Sequence, residues 1–452
     1  MIFTLEYPDI IEFMKHQIRK EILSLALPLM ASNLLDQAIV IVDIFLVGGI
    51  GAAAIAAVGL AQLLFTTVFT LIYGLSMGTL VVVSQLRGAG RTEEAARTGY
   101  QSLLVGIVIA LLVGLLGGAF GQQAATFLGA EEEVARLTGQ YVRLLSFFFQ
   151  FNVSVIILVG ILQGWGDTRT PMKAGVLANI LHVLFAYPLI YGIWGMPRLG
   201  VRGAALAIGL SELIEASFLL VQVLRTRRLI LRRFDLELIK RVIRVGAPVF
   251  GQRVLQQVGQ MAYSRAVLVY GTVAYAAHQV GLAIEALSYL QGGAFSIAAA
   301  TAVGKSVGAG KYKLARLKNW EANRIAVFIM ACMGLIFFFF PYLLLRIFTQ
   351  DPEVIRLGTL FLKIVAVMQV PLAITMVLEG SLKGAGDTRF LILVTVAGMW
   401  VVRVPLSSLF SYGLGLPLVF VWGVMVLDWF TRMTILLFRY RSERWQEARV
   451  IR

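Results

Sequence analysis

A chain of 452 residues that is 59% hydrophobic and only 14% charged has too little polar surface to cover a water-soluble globule. The mean hydropathy is +0.82, and the long, repeated apolar stretches point to helices crossing a bilayer. The net charge of +15 is spread over short gaps between apolar runs; this is the pattern of cytoplasmic loops facing lipid headgroups, and it argues against a nucleic-acid partner.

The first apolar run, near residues 22–47, is too long for the core of a secretory signal and is expected to stay as a spanning helix. Twelve spans are predicted in chain order: 22–47, 53–84, 98–119, 133–161, 171–193, 201–224, 243–269, 272–304, 319–344, 354–381, 390–412 and 417–438. Several are longer than a bilayer requires, so tilt or extension beyond it is expected. Both termini and the loops after spans 2, 4, 6, 8 and 10 carry most of the lysine and arginine. The opposite side has only Arg136, Arg198, Arg202, Arg346 and Arg356, so both termini should be cytoplasmic in a multi-pass protein of the cell's inner (plasma) membrane.

The richest basic loop follows span 6 and runs from Arg225 to Arg244, with Leu236, Leu238 and Ile239 interspersed. It is read as a linker near the chain midpoint, with room for a short amphipathic helix on the membrane surface. Single Cys332 excludes an internal disulfide and a multi-cysteine metal site, and His16, His182 and His278 have no ligand spacing. No metal and no cofactor are expected.

One internal offset recurs along the chain. Arg-Gly-Ala-Gly at 87–90 matches Val-Gly-Ala-Gly at 307–310, and Gly-Trp-Gly-Asp-Thr-Arg at 164–169 matches Gly-Ala-Gly-Asp-Thr-Arg at 384–389, both 220 residues apart. Pro28 with Pro248, Gly51 with Gly271, and Val201-x-Gly203 with Val421-x-Gly423 keep the same register. The expectation is an all-α integral membrane protein, its twelve transmembrane helices forming two pseudo-symmetric six-helix bundles around a central cavity. The bundles are 1–224 and 243–452, joined by a basic cytoplasmic linker at 225–242. Each Gly-x-Gly-Asp-Thr-Arg element is read as a rigid turn in which Asp167 or Asp387 caps the following helix. No strand or P-loop lysine accompanies it, which argues against a phosphate loop.

An ionised carboxylate in hydrocarbon costs at least roughly 2.5 kcal/mol and should face a cavity or a partner. Asp36 and Asp43 are seven residues apart, two turns along one face of span 1. Their counterparts in span 7 are Gln256 and Tyr263, so the acids are confined to the first repeat. Glu212 and Glu215 share a face of span 6, and either can join that network. Arg253 and Arg403 are expected to pair with Glu285 or Asp428. Gln150, Asn152, Gln256, Met261, Tyr263, Tyr289, Met368 and Gln369 offer polar, soft or aromatic surface for flat cationic compounds, or ordinary helix packing.

Pro28 followed by Val42-Asp43-Ile44-Phe45-Leu46-Val47-Gly48, Ala274-Tyr275-Ala276-Ala277-His278-Gln279, the two Gly-Asp-Thr-Arg turns, and Trp400-x-x-Arg403-x-Pro405 together resemble the multidrug and toxin extrusion (MATE) family over nearly the whole chain. Span 7 has Gln256 where the NorM-like branch carries a glutamate, so the chain looks closer to the DinF-like branch. The resemblance implies a secondary-active exporter, not an enzyme, that extrudes organic cations or amphipathic compounds by antiport with H⁺ or Na⁺, with H⁺ the favoured ion. It also implies that Asp43 is the coupling acid and that Pro28 lets helix 1 bend on its protonation. Asp36, Asn179 and Glu212 are candidate companions. His182 and Ala186 stand where the DinF-like pattern often has asparagine and aspartate; His182 is either a hydrogen-bonding or titrating member of the site or a packed core histidine. A monomer among membrane lipids is expected. The rival readings are a flippase for lipid-linked oligosaccharide or polysaccharide precursors and, further off, a membrane-embedded enzyme, for which no nucleophile–base set is present.

Overall fold

The computed structural model describes residues 7–451, with side chains from residue 14 onward except Thr67. The first six residues and Arg452, part of the predicted cytoplasmic termini, lie outside the described residues. Among the described residues the secondary structure is all helical, without strands. The long helices are α1 (Tyr7–Gly48), α2 (Ala52–Gly88), α3 (Thr92–Phe127), α4 (Glu132–Gly164), α5 (Arg169–Tyr191) and α6 (Val201–Arg225). After them come α7 (Leu236–Leu268), α8 (Thr272–Gly308), α9 (Tyr312–Phe339), α10 (Pro352–Ala385), α11 (Thr388–Gly413) and α12 (Leu418–Arg441).

Eleven of the described helices are long and apolar enough to cross a membrane. The exception is α7, a continuous helix of 33 residues whose polar side chains have partners on neighbouring helices. Gln252 donates to Glu379 at 3.1 Å, Gln256 accepts from Arg432 at 2.8 Å, and Gln260 accepts from Arg403 at 3.3 Å. A helix whose polar groups are paired inside a bundle does not need the hydropathy of a lipid-facing one.

Two expectations about the chain path are corrected. The ninth span ends at Phe339, not near 344, because Pro341 has no N–H to continue the helix and opens a short separate one, Pro341–Arg346. No separate amphipathic helix occupies the basic linker: Leu236, Leu238 and Ile239 form the first turn of α7, where Leu238 and Ile239 are buried.

Contacts divide the chain into two compact units, one made of Met1–Met30 with Gly251–Arg452 and the other of Ala31–Phe250. Both division points fall two residues after a repeat-related proline, Pro28 and Pro248. The first helix of each repeat therefore gives its opening segment to one unit and its remainder to the other.

In the unit of Ala31–Phe250, the opening segment of α7 lies against α2 at glycines. A Cβ on Gly246 would stand 2.5 Å from the Gly74 carbonyl oxygen, and one on Gly78 would stand 2.4 Å from that of Val242. Only glycine admits backbones at that distance. In the other unit the equivalent α1 segment contributes buried Ile22 and Ala26 to a core shared with Phe295, Ala298 and Ala302 of α8. Alanine replaces glycine on that side.

Candidate functional site

In the unit of Ala31–Phe250, α1, α4, α5 and α6 bring together the acids singled out from the sequence. Asp43 Oδ1 lies 2.6 Å from His182 Nε2, with the His182 side chain buried and that of Asp43 about one-third exposed (35%). Asn179, one turn earlier on α5, donates to Asp36 at 3.0 Å, and Ser32 also bonds Asp36. The seven-residue spacing on α1 thus meets a three-residue spacing on α5, one partner for each acid.

A further pair lies on α4 and α6, where Asn152 Nδ2 donates to Glu212 at 2.6 Å. Buried Tyr141, which the sequence reading passed over, is within electrostatic reach of both Asp43 and Glu212. Its only sequence signal is its place on the face of α4 eleven residues before Asn152, or three turns. Glu215 interacts electrostatically with Asp36. Four carboxylates, an imidazole and two side-chain amides are therefore gathered in one unit, Glu212 and Glu215 half-buried and Asp36 at its exposed edge. Such a set can hold and release a small cation, or a proton, at an oxygen whose partners reorganise when its charge changes. Gln150 stands half-buried on α4, and its backbone carbonyl accepts from Ser154 at 2.6 Å.

The unit containing Gly251–Arg452 has a different centre. Asp428 is fully buried, with its carboxylate oxygens 2.6 Å from Arg403 Nε and 2.6 Å from Arg432 Nε. Arg403 thus takes Asp428 as its partner, as expected. Arg432 was missed, although Asp428 and Arg432 at four-residue spacing share a helix face. Trp429 lies under both guanidinium groups, at 5.7 Å from Arg403 and 5.0 Å from Arg432.

Arg403 comes from α11, which passes through two π-helical stretches, Val396–Arg403 and Leu409–Gly413. Pro405 supplies no N–H just where the first of these ends, and widened turns of this kind recur at functional positions. Glu285 has one carboxylate oxygen, Oε2, buried without a partner, and it makes no ion pair among the described residues. His278 is buried edge-on between Tyr263 (5.7 Å) and Phe361 (5.2 Å).

The aromatic and soft residues fall into two groups. Met261 (53% exposed) and Tyr289 (41%) offer surface, whereas Tyr263 and Met368 are fully buried core residues with none to offer in this conformation. Tyr263 donates its hydroxyl to the Val421 carbonyl at 3.2 Å.

Of the two repeated turns, the first caps as expected: Asp167 accepts from the Thr170 amide at 3.0 Å and from Arg228 at 2.6 Å. Desolvation pushes the Asp167 carboxyl upward, but these bonds outweigh it and hold the group below its ordinary value of 3.8. The second turn differs. Asp387 makes no capping bond and takes Arg439 at 2.8 Å instead. Gly386, at φ +97°, lies against Ala448 and Val450 of the C-terminal segment, so the chain end fills the space beneath this turn.

A polytopic helical protein with ionisable groups clustered inside its bundles has the frame of a membrane transporter. The MatE family model matches this chain twice, at residues 28–188 and 248–409, each match opening on one of the paired prolines, and the chain belongs to that family, the multidrug and toxin extrusion transporters. It is similar to the probable multidrug resistance protein NorM of Thermotoga maritima, 29% identical over 440 residues that cover 96% of this chain and 95% of the relative. The probable multidrug resistance protein NorM of Bradyrhizobium diazoefficiens is 28% identical over 440 residues, covering 93% and 92%. Among solved structures, the Vibrio cholerae MATE transporter VcmN in the bent form shares the fold at TM-score 0.88 and 18% identity, covering 96% of this chain and 99% of that one. A MOP superfamily transporter from Pyrococcus furiosus does so at TM-score 0.87 and 22% identity, covering 95% and 96%.

Proposed function

We propose that this protein is a multidrug exporter of the plasma membrane that extrudes organic cations or amphipathic compounds by alternating access, in antiport with H⁺. Family membership and relatives named as multidrug resistance proteins support export of small molecules, and the same names disfavour the lipid-linked sugar flippase. The observation that carries the coupling assignment is the 2.6 Å contact between Asp43 and His182, set on a helix that carries Pro28 inside it. Proton arrival at Asp43 removes the charge that orients His182, so the α1–α5 contact is weakened at the moment the ion binds. Asp36, Asn179, Glu212 and Asn152 form the surrounding network. The chain acts as a monomer with both termini cytoplasmic, and placement in the DinF-like branch rests on Gln256 in α7.

Transport of a fluorescent organic cation such as ethidium into everted vesicles should collapse with the pH gradient and be lost in Asp43→Asn. His182→Asn, which keeps a hydrogen-bonding side chain opposite Asp43, should retain uptake, whereas His182→Leu should lose most of it. Full pH-driven uptake in Asp43→Asn would remove Asp43 from the coupling role, and dependence on a Na⁺ gradient at clamped pH would replace the ion.

A further inference from the structure

The end of the Ala31–Phe250 unit that carries the Gly49–Gly51 turn, opposite Asp167, holds a cavity of about 360 Å³ between α3, α4 and the start of α6. Arg136 and Arg143 of α4, Arg202 of α6, and Gln122 and Gln140 line it. None of the three arginines has a carboxylate within ion-pair distance among the described residues; Arg202 Nε donates to Gln140 Oε1 at 3.2 Å. Glu133 lies one turn before Arg136 and is exposed but does not pair with it.

Position along the helix says what kind of anion fits. Arg143 is twelfth in a helix of 33 residues, so it starts about 16 Å from the helix end, below the polar boundary of a bilayer whose core is about 30 Å thick. Helical side chains slant toward the N-terminus, which carries its guanidinium up toward Arg136 and Arg202, at the level where phosphates lie. Deeper in the same unit the outward faces are apolar: Leu112, Leu115 and Leu116 on α3 and Phe147 on α4 are all more than half exposed (57%, 72%, 59% and 68%).

The second repeat shows what the cluster is not. At the 220-residue offset Arg136 and Arg143 become Arg356 and Lys363, but Arg202 becomes Trp422, which is buried. There Arg356 is neutralised by Glu353 at 2.8 Å and Lys363 lies 5.8 Å from the Phe338 ring. Three unneutralised arginines converging on one cavity belong to the first repeat alone.

We propose that this cavity is a binding site for the phosphate of a phospholipid, in the extracytoplasmic leaflet on the proposed orientation with cytoplasmic termini, with the guanidinium groups of Arg136, Arg143 and Arg202 on the phosphate and the acyl chains along the apolar faces of α3 and α4. The shared chemistry is a phosphate oxyanion taken by guanidinium donors, and the apolar track below assigns it to a lipid and not to a free phosphate. The site is independent of the coupling assignment at Asp43.

Native mass spectrometry of the purified full chain with phosphatidylglycerol tests it. The wild type should keep one lipid adduct under conditions that strip the others, and Arg143→Gln should weaken that binding about tenfold, as loss of one charge-assisted contact of about 1.4 kcal/mol implies. The Arg136→Gln, Arg143→Gln, Arg202→Gln triple variant should lose the adduct, while Arg356→Gln with Lys363→Gln keeps it. Arg143→Lys, which retains the charge, should bind more tightly than Arg143→Gln. Equal adducts in the wild type and Arg143→Gln, or equal loss in the second-repeat variant, would overturn the proposal. So would inorganic phosphate displacing the lipid at equal concentration, since that result assigns the cavity to a free anion.

Discussion

Asp428 sits with no exposed surface between two arginines that are themselves buried, Arg403 and Arg432. Removing its charge leaves two uncompensated cations inside the bundle, and breaking a buried pair of this kind costs about 3–5 kcal/mol. Asp428→Asn should therefore lower the thermal midpoint sharply, read from intrinsic tryptophan fluorescence; an unchanged midpoint would show that the cluster is hydrated and not structural. Asp167 works by a milder version of the same physics. Its carboxyl is held below 3.8 by Arg228 and Thr170 despite desolvation, so the stability it adds is complete above that ordinary value and is lost only as pH falls through the lower folded value. Asp167→Asn should cost about 1 kcal/mol, discounted for its partial exposure, with the same penalty at pH 8 and pH 5 in thermal unfolding. A penalty that vanishes between those pH values would contradict the assignment. Residues of this kind were only partly legible in the sequence. Spacing placed Asp36 and Asp43 on one face, while His182 was singled out by the family resemblance and Asn179 only as polar lining, so neither was paired with its acid. Arg432 and Tyr141 were passed over, because an arginine next to an acid and a tyrosine in an apolar run both look ordinary until neighbouring helices close on them.

Helix α7 shows how an element follows from more than its hydropathy. It carries Gln252, Gln256 and Gln260, each bonded to a charged side chain on another helix, and it starts with a glycine contact that no side chain fits. Gly246→Leu puts atoms where the Gly74 carbonyl lies and should destabilise by about 2 kcal/mol or more. Gly251→Ala, one turn further on, meets only Ile392 Cδ1 at 3.9 Å and should be neutral or stabilise by up to about 1 kcal/mol through helix propensity. Equal thermal midpoints for the two variants would refute the close-packing account. The twelve spans were readable because runs of apolar residues must cover a bilayer thickness. Their ends were less so: Pro341 truncates one helix, and the apolar residues of the basic linker extend α7 instead of making a surface helix.

At the scale of the whole molecule, duplication organises the chain and its breaking organises the chemistry. The offset of 220 residues is visible in the glycine turns and in the two matches to the family model, and it recurs where each compact unit begins just after a proline, between Met30 and Ala31 and between Phe250 and Gly251. That recurrence could not be read from the sequence, since apolar patterning says which residues are buried but not which unit buries them. What the repeats do not share was partly legible: carboxylates with amide and imidazole partners occupy one unit, and an aspartate held by two arginines occupies the other. In the proposed mechanism a proton bound at Asp43 is exchanged for the exported compound. The most direct measurement uses proteoliposomes with a pH dye trapped inside, no Na⁺, and an imposed gradient of an organic cation. Downhill movement of the cation should drive protons the opposite way in the wild type and not in Asp43→Asn. Cation movement without proton movement, or proton movement undiminished in Asp43→Asn, would contradict it.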